Sequence, residues 1–105
     1  MRPERDAELE NEVYENETFR GQDLSGLRTT GCTFRSCDFT LAQVNGSKHV
    51  GSDFANSTFE SANLGADLRE ATVDGVDLSA ARVARTRLDL AGAIQLAHSL
   101  GAVFA

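Results

Sequence analysis

The side chains able to do chemistry are few, and their spacing gathers none of them into a reactive group. The sequence holds two cysteines, Cys32 and Cys37, and two histidines, His49 and His98, among 16 acidic residues. Two thiols at this spacing fit no common zinc pattern and are too few for a disulfide scaffold, so both are expected to be free. An enzyme would need a nucleophile beside a base, a metal cluster or a phosphate-binding loop. No such constellation occurs, so no catalytic residue, metal ligand or cofactor is expected. The charged side chains remain, and these act by recognition and not by bond-making.

A repeat positions them. Large residues return every five positions as Phe19, Leu24, Thr29, Phe34, Phe39, Val44, His49, Phe54, Phe59 and Leu64; one residue is then missing, and the series resumes as Leu68, Val73, Leu78, Val83, Leu88 and Ala93. Two places before each, from Cys32 onward, stands a mostly small residue: Cys32, Cys37, Ala42, Ser47, Ser52, Ser57, Ala62 and their successors. Helices return apolar residues at three and four, strands at two, so neither explains a period of five. A chain that turns a corner every five residues does. Large and small residues then point inward, the others point to solvent, and four walls close one coil. His49, Cys32 and Cys37 fall in inward slots, where a thiol packs as a small hydrophobe.

Within these units stand Ala62-Asn63-Leu64, Ala66-Asp67-Leu68 and Val76-Asp77-Leu78, with Phe variants Cys37-Asp38-Phe39 and Ser52-Asp53-Phe54. In these residues, over 17 to about 92, the sequence resembles the pentapeptide repeat family. The resemblance implies an all-β fold, a right-handed quadrilateral β-helix of about four coils. The first wall stacks Phe19, Phe39, Phe59 and Leu78, and the second stacks Leu24, Val44, Leu64 and Val83. The third stacks Thr29, His49, Leu68 and Leu88, and the fourth stacks Phe34, Phe54, Val73 and Ala93. The core ladder is thus Phe19, Phe39 and Phe59 beside Phe34 and Phe54.

A solenoid needs caps where its coils end. Asp89 suits the N-cap of a helix over about 90–100 and Gly101 its C′ position, with Leu90, Ala93, Ile94, Ala97 and Leu100 on one face. The expected organisation is an acidic N-terminal segment over 1–13, read as mobile or loosely capping, the β-helix over 14–92, and a C-terminal capping helix and tail over 89–105. Ile94, Ala97, Leu100, Val103 and Phe104 exceed what one cap must cover, which predicts a homodimer through the C-terminal end.

The net charge of -6 is unevenly placed, because residues 1–23 hold eight acids against three arginines. On the walls, Asp38, Glu60 and Asp77 share the first, and Asp53 and Asp74 the adjoining fourth. These five are the candidate partner-binding residues. Arg28, Lys48, Arg69 and Arg87 gather on the third wall with Asp67 among them, which makes the rod two-faced. No apolar run approaches the roughly 18 residues needed to cross a membrane, and no secretory segment stands at the N-terminus, so a cytoplasmic location is expected.

Phe19–Ser25, Ser47–Ser52, Ala66–Asp74 and Leu88–Phe104 resemble, more closely, the mycobacterial fluoroquinolone-resistance group of that family. Its members are dimers joined at their C-terminal ends, and their acidic rods imitate B-form DNA in the DNA-binding saddle of DNA gyrase. The resemblance implies gyrase as partner and no direct binding of nucleic acid. This sequence departs from the group in having about half its coils and a nearly neutral coil body. The alternative is a structural or adaptor scaffold, a minimised rod without gyrase activity.

Overall fold

In the computed structural model, which describes residues 3–101, the chain bends because every fifth residue from Asp6 to Ser61 has a positive φ. Eleven of these twelve corners are Gly, Asn, Asp or Ser, the residues that enter the left-handed region most readily. Leu41, with φ 63°, is the exception.

Between corners the backbone is extended, and it forms strands where pairing is continuous: β1 (Glu8–Glu10), β2 (Val13–Glu15), β3 (Arg28–Thr30), β4 (Thr33–Arg35), β5 (Lys48–Asp53), β6 (Asp67–Thr72) and β7 (Arg87–Leu88). All pairings are parallel, and the early coils lie twenty residues apart, as in Leu9↔Thr29, Thr29↔His49 and Tyr14↔Phe34. Single bridges continue the ladder on the other walls, at Thr18↔Asp38↔Thr58 and Asp23↔Gln43↔Asn63. Each coil therefore hydrogen-bonds to the next all the way round, as where Phe39 N–H donates to the Thr58 carbonyl at 2.8 Å and Thr58 N–H to the Cys37 carbonyl at 3.0 Å.

Stacking fills the interior. Phe19, Phe39 and Phe59 lie ring on ring at 5.1 and 4.8 Å, and Tyr14, Phe34 and Phe54 at 5.1 Å each. The two columns touch edge to face, as Phe34 and Phe39 do at 5.8 Å.

The missing residue first shows at one corner, and the β5–β6 pairing after it shifts register at Val50↔Glu70 before settling at Asp53↔Thr72. Gln43 pairs with Asn63 at twenty, but Lys48 pairs with Asp67 at nineteen, so the loss falls between Asn63 and Asp67. Elsewhere two residues round the corner, as Asn45 and Gly46 do; here Gly65 does so alone at φ 44°. A Cβ at Gly65 would lie 3.1 Å from the Asn45 Cβ, so a side chain there would have to push Asn45 aside.

Three expectations are corrected. Glu8–Glu10, assigned to the loose N-terminal segment, is strand β1, with Leu9 2% exposed beneath Thr29. Leu9 and Tyr14 extend the inward series one coil earlier, a signal masked by the surrounding glutamates. Ala93 does not complete the fourth wall, because the helix α1 (Leu90–Ser99) has already begun and leaves it exposed. That helix starts at Asp89, whose carboxylate accepts from Gly92 N–H at 2.9 Å, and ends at Gly101 with φ 83°. It is rotated from the expected face. Gly92, Gln95, Leu96 and Ser99 turn toward the last coil, where the Gln95 amide and the Ser99 hydroxyl donate to the Val76 carbonyl. The coil's orphaned backbone groups decide this rotation, since they need polar partners that leucines cannot supply.

His49 is 3% exposed within this interior, yet fully bonded. Cys32 N–H donates to Ser52 Oγ, Ser52 to Thr29 Oγ at 2.7 Å, and Thr29 to His49 Nδ1 at 2.7 Å. His49 Nε2–H donates to Ser47 Oγ at 2.9 Å, and Ser47 to the Val44 carbonyl. The terminal amide and carbonyl set this direction, which places the neutral ring's proton on Nε2. Burial holds the imidazole down to about 4, against a slight opposing pull from Asp67. A second proton would turn Nδ1 into a donor facing the Thr29 hydroxyl and break the chain.

Two measurements check this interior. Phe39→Ala removes a ring from the centre of both columns and is expected to cost about 3–5 kcal/mol in denaturant unfolding, whereas Val13→Ala at an exposed site changes stability by less than about 0.5 kcal/mol. For His49 the folded value lies below the unfolded one, so its stability contribution is full above pH 6.5 and is lost as pH falls toward about 4. The loss is about 1.4 kcal/mol per pH unit across that window, and His49→Leu is expected to abolish that slope.

Candidate functional site

Because the interior is filled, what the molecule can do lies on the outer walls. On each wall the residues flanking the inward one face solvent, and the coil register stacks them in columns. On the first wall one column runs Thr18, Asp38, Thr58, Asp77. Asp38 accepts from the Thr40 amide at 2.9 Å, from the Thr40 hydroxyl and from the Thr58 hydroxyl at 3.1 Å in the next coil. Asp77 accepts from the Ser79 hydroxyl and amide, and Asp23 on the second wall from those of Ser25. These hydroxyls first, then the amides, hold all three carboxyls below the usual carboxylate range. They stay ionised in fixed positions, which suits recognition and not proton transfer.

The five expected partner-binding residues do share adjoining walls, but they are not equivalent. Asp38 and Asp77 are locked as above; Glu60 and Asp74 are exposed. Asp53 is half-buried and meets Arg35 Nε and an Arg35 terminal nitrogen, each at 3.1 Å, so its charge is compensated. Across the molecule, the third-wall column runs Glu8, Arg28, Lys48, Asp67, Arg87. Arg69 grips Asp67 with two bonds, at 2.9 and 2.7 Å, and holds its carboxyl down to about 2.

Sequence reading missed Leu41, which is 53% exposed at its strained corner beside Thr40. The signal was there: a leucine stands where the other corners from Asp6 to Ser61 carry Gly, Asn, Asp or Ser. Cys32 and Cys37 are 1% exposed, and burial pushes the Cys37 thiol up. No group of three His, Cys, Asp or Glu that could hold a metal occurs among the described residues, nor any helix long and apolar enough to cross a membrane.

Comparison with known proteins adds a family match over part of the chain. The profile of the pentapeptide repeats matches residues 37–71, with eight copies. No curated protein matches. Among solved structures, the pentapeptide repeat protein Rfr23 from the cyanobacterium Cyanothece 51142 superimposes with a TM-score of 0.53 at 21% identity, covering 80% of this chain and 61% of that one. The chain thus spans about three fifths of that relative's length. HetL, a pentapeptide repeat protein involved in heterocyst differentiation regulation in Nostoc sp. strain PCC 7120, gives 0.38 at 16% identity, covering 78% and 47% of the two chains. A trypsin-treated form of QnrB1, a plasmid-mediated fluoroquinolone resistance protein, gives 0.46 at 17%, covering 100% and 94%. At 21% identity the likeness to Rfr23 speaks to fold alone, and it agrees with the square coil described above. Residues 37–71 match the pentapeptide repeats, and the described residues fold as a β-helix of square coils.

Proposed function

We propose that the chain is a non-catalytic binding rod, cytoplasmic, whose first and fourth walls dock against the basic surface of a protein partner. The observation that carries this is the column Thr18, Asp38, Thr58, Asp77, a flat ladder in which hydrogen bonds fix the carboxylates in the ionised form. Rigid, pre-placed charge costs little ordering on binding and favours association with a surface of opposite sign. The resemblance of Phe19–Ser25 and Ala66–Asp74 to the fluoroquinolone-resistance group names the DNA-binding saddle of gyrase as that surface. No cofactor takes part, and nucleic acid is not bound directly.

A magnitude favours the second reading, an adaptor scaffold without gyrase activity. From Leu9 to Leu88 the coils advance four steps, about 19 Å, a length over which duplex DNA carries about eleven charges. The first and fourth walls offer eight carboxylates, Glu12, Glu15, Glu17, Asp38, Asp53, Glu60, Asp74 and Asp77, against Arg20 and Arg35, a net of six. Such a surface is a sparse imitation of DNA.

The C-terminal end is proposed as a homodimer contact. Leu90 and Leu100 on α1 are 77% and 65% exposed, with Ala93 and Ala97 between them on one stripe and Ile94 half-buried beside it. Val103 and Phe104, assigned to the same contact, lie outside the described residues. Pairing through this end doubles the rod.

Titrating the protein into a gyrase supercoiling assay separates the two readings. Inhibition at micromolar protein that weakens about tenfold in Asp38→Asn/Asp77→Asn supports the saddle, the two charges together being worth about 1.4 kcal/mol; an unaffected enzyme leaves the scaffold. Light scattering is expected to return twice the 11.3 kDa chain mass, and the single chain mass for Leu100→Glu. A wild-type monomer would end the dimer proposal.

A further inference from the structure

We propose that the corner between the second and third walls is a binding site for an acidic peptide segment, independent of the carboxylate face. The corner column runs Asp6, Gly26, Gly46, Gly65, Arg85: the Asp6 carboxylate lies over Gly26, the next two coils present bare backbone and the last a guanidinium. The shortened turn at Gly65 adds to this a surface depression of about 330 Å³, with Gly46 and Gly65 in its floor and Arg28, Lys48, Arg85 and Arg87 around it.

Two observations mark these cations as unspent. First, none of the four has a carboxylate within 4.0 Å among the described residues, whereas Arg5, Arg35 and Arg69 all do. Asp67 lies in the same depression, but both its oxygens are taken by Arg69. Second, Arg85 holds φ 63°, at a corner position that is glycine in the three coils above. Such strain is retained chiefly where the side chain has a task.

The spacing selects the ligand. Arg28 and Lys48 are one coil apart, about 4.8 Å, and Arg87 lies two coils further, so the cluster runs about 14 Å. An extended peptide covers that length in about four residues and presents alternate side chains at about 6.6 Å. Carboxylates on alternate residues can therefore meet the cations and leave gaps elsewhere. The gaps matter, because Glu8 flanks Arg28 in register and Glu70 and Asp89 stand near the other end. Duplex DNA, charged about every 1.7 Å along its axis, would be driven against these acids.

The test is fluorescence anisotropy with a labelled peptide of alternating Glu and Ser, at about 50 mM and about 300 mM salt, since exposed charges are screened at the higher. The wild type is expected to bind at low salt and to weaken at high salt. Arg85→Gly and Lys48→Ala are each expected to weaken binding severalfold, and Arg20→Ala, on the opposite face, to leave it unchanged. Glycine suits φ 63°, so Arg85→Gly should melt no lower than wild type, which separates lost binding from lost fold. The proposal is overturned if the peptide does not bind at low salt, if Arg85→Gly and Lys48→Ala bind as wild type, if Arg20→Ala weakens binding equally, or if a labelled DNA duplex binds more tightly than the peptide.

Discussion

Parallel hydrogen bonding between coils about 4.8 Å apart is the constraint on which the rest of the molecule depends. It sets each inward side chain directly over its counterpart, near the contact distance of stacked rings, so phenylalanine on phenylalanine fills the interior without interdigitation from a second layer. A 105-residue chain can in this way bury whole aromatic columns while keeping its walls one residue thick. Nothing in the column requires the outer residues to be of any particular kind. The walls are consequently free to carry function, and the fold by itself does not say which.

The same constraint explains how irregularities are handled. A polar residue in a column cannot swing out to water, because coils lie above and below it. Thr29 and His49 are tolerated since Ser47 and Ser52, in the small inward slots, complete a directed chain of bonds from one backbone amide to one carbonyl. A missing residue cannot be spread along a wall without breaking register. It is taken up at the corner where Gly65 is squeezed against Asn45 and in the register shifts of the adjoining β5–β6 pair. Both solutions are local, and the ladders resume on either side.

Charge follows a different rule. Carboxylates at the position before each inward residue are tied to the hydroxyl and amide two residues on, at Asp23, Asp38 and Asp77. That bond serves the wall first, by fixing the extended backbone at its edge. A rigid array of ionised groups is its by-product, which recognition can then use. The basic third wall is less tied down: Arg28, Lys48, Arg85 and Arg87 project from a corner that glycine has stripped bare.

Five-residue recurrence in the sequence by itself determined the fold, the four inward columns and the caps at Asp89 and Gly101, because each depends on spacing along a short stretch of chain. It placed Asp38, Glu60 and Asp77 on one wall for the same reason. Only the tertiary structure decided that Leu9 and Tyr14 belong to the interior, that α1 turns Gln95, Leu96 and Ser99 inward and leaves Leu90 outside, that Asp53 is neutralised by Arg35, and that Arg85 joins Arg28 and Lys48. These outcomes rest on contacts between side chains and backbone groups about one coil or more apart in sequence. Residue identity and period do not specify which rotamer, partner or helix rotation satisfies them; the orphaned carbonyls, compensating charges and space left by neighbouring coils do.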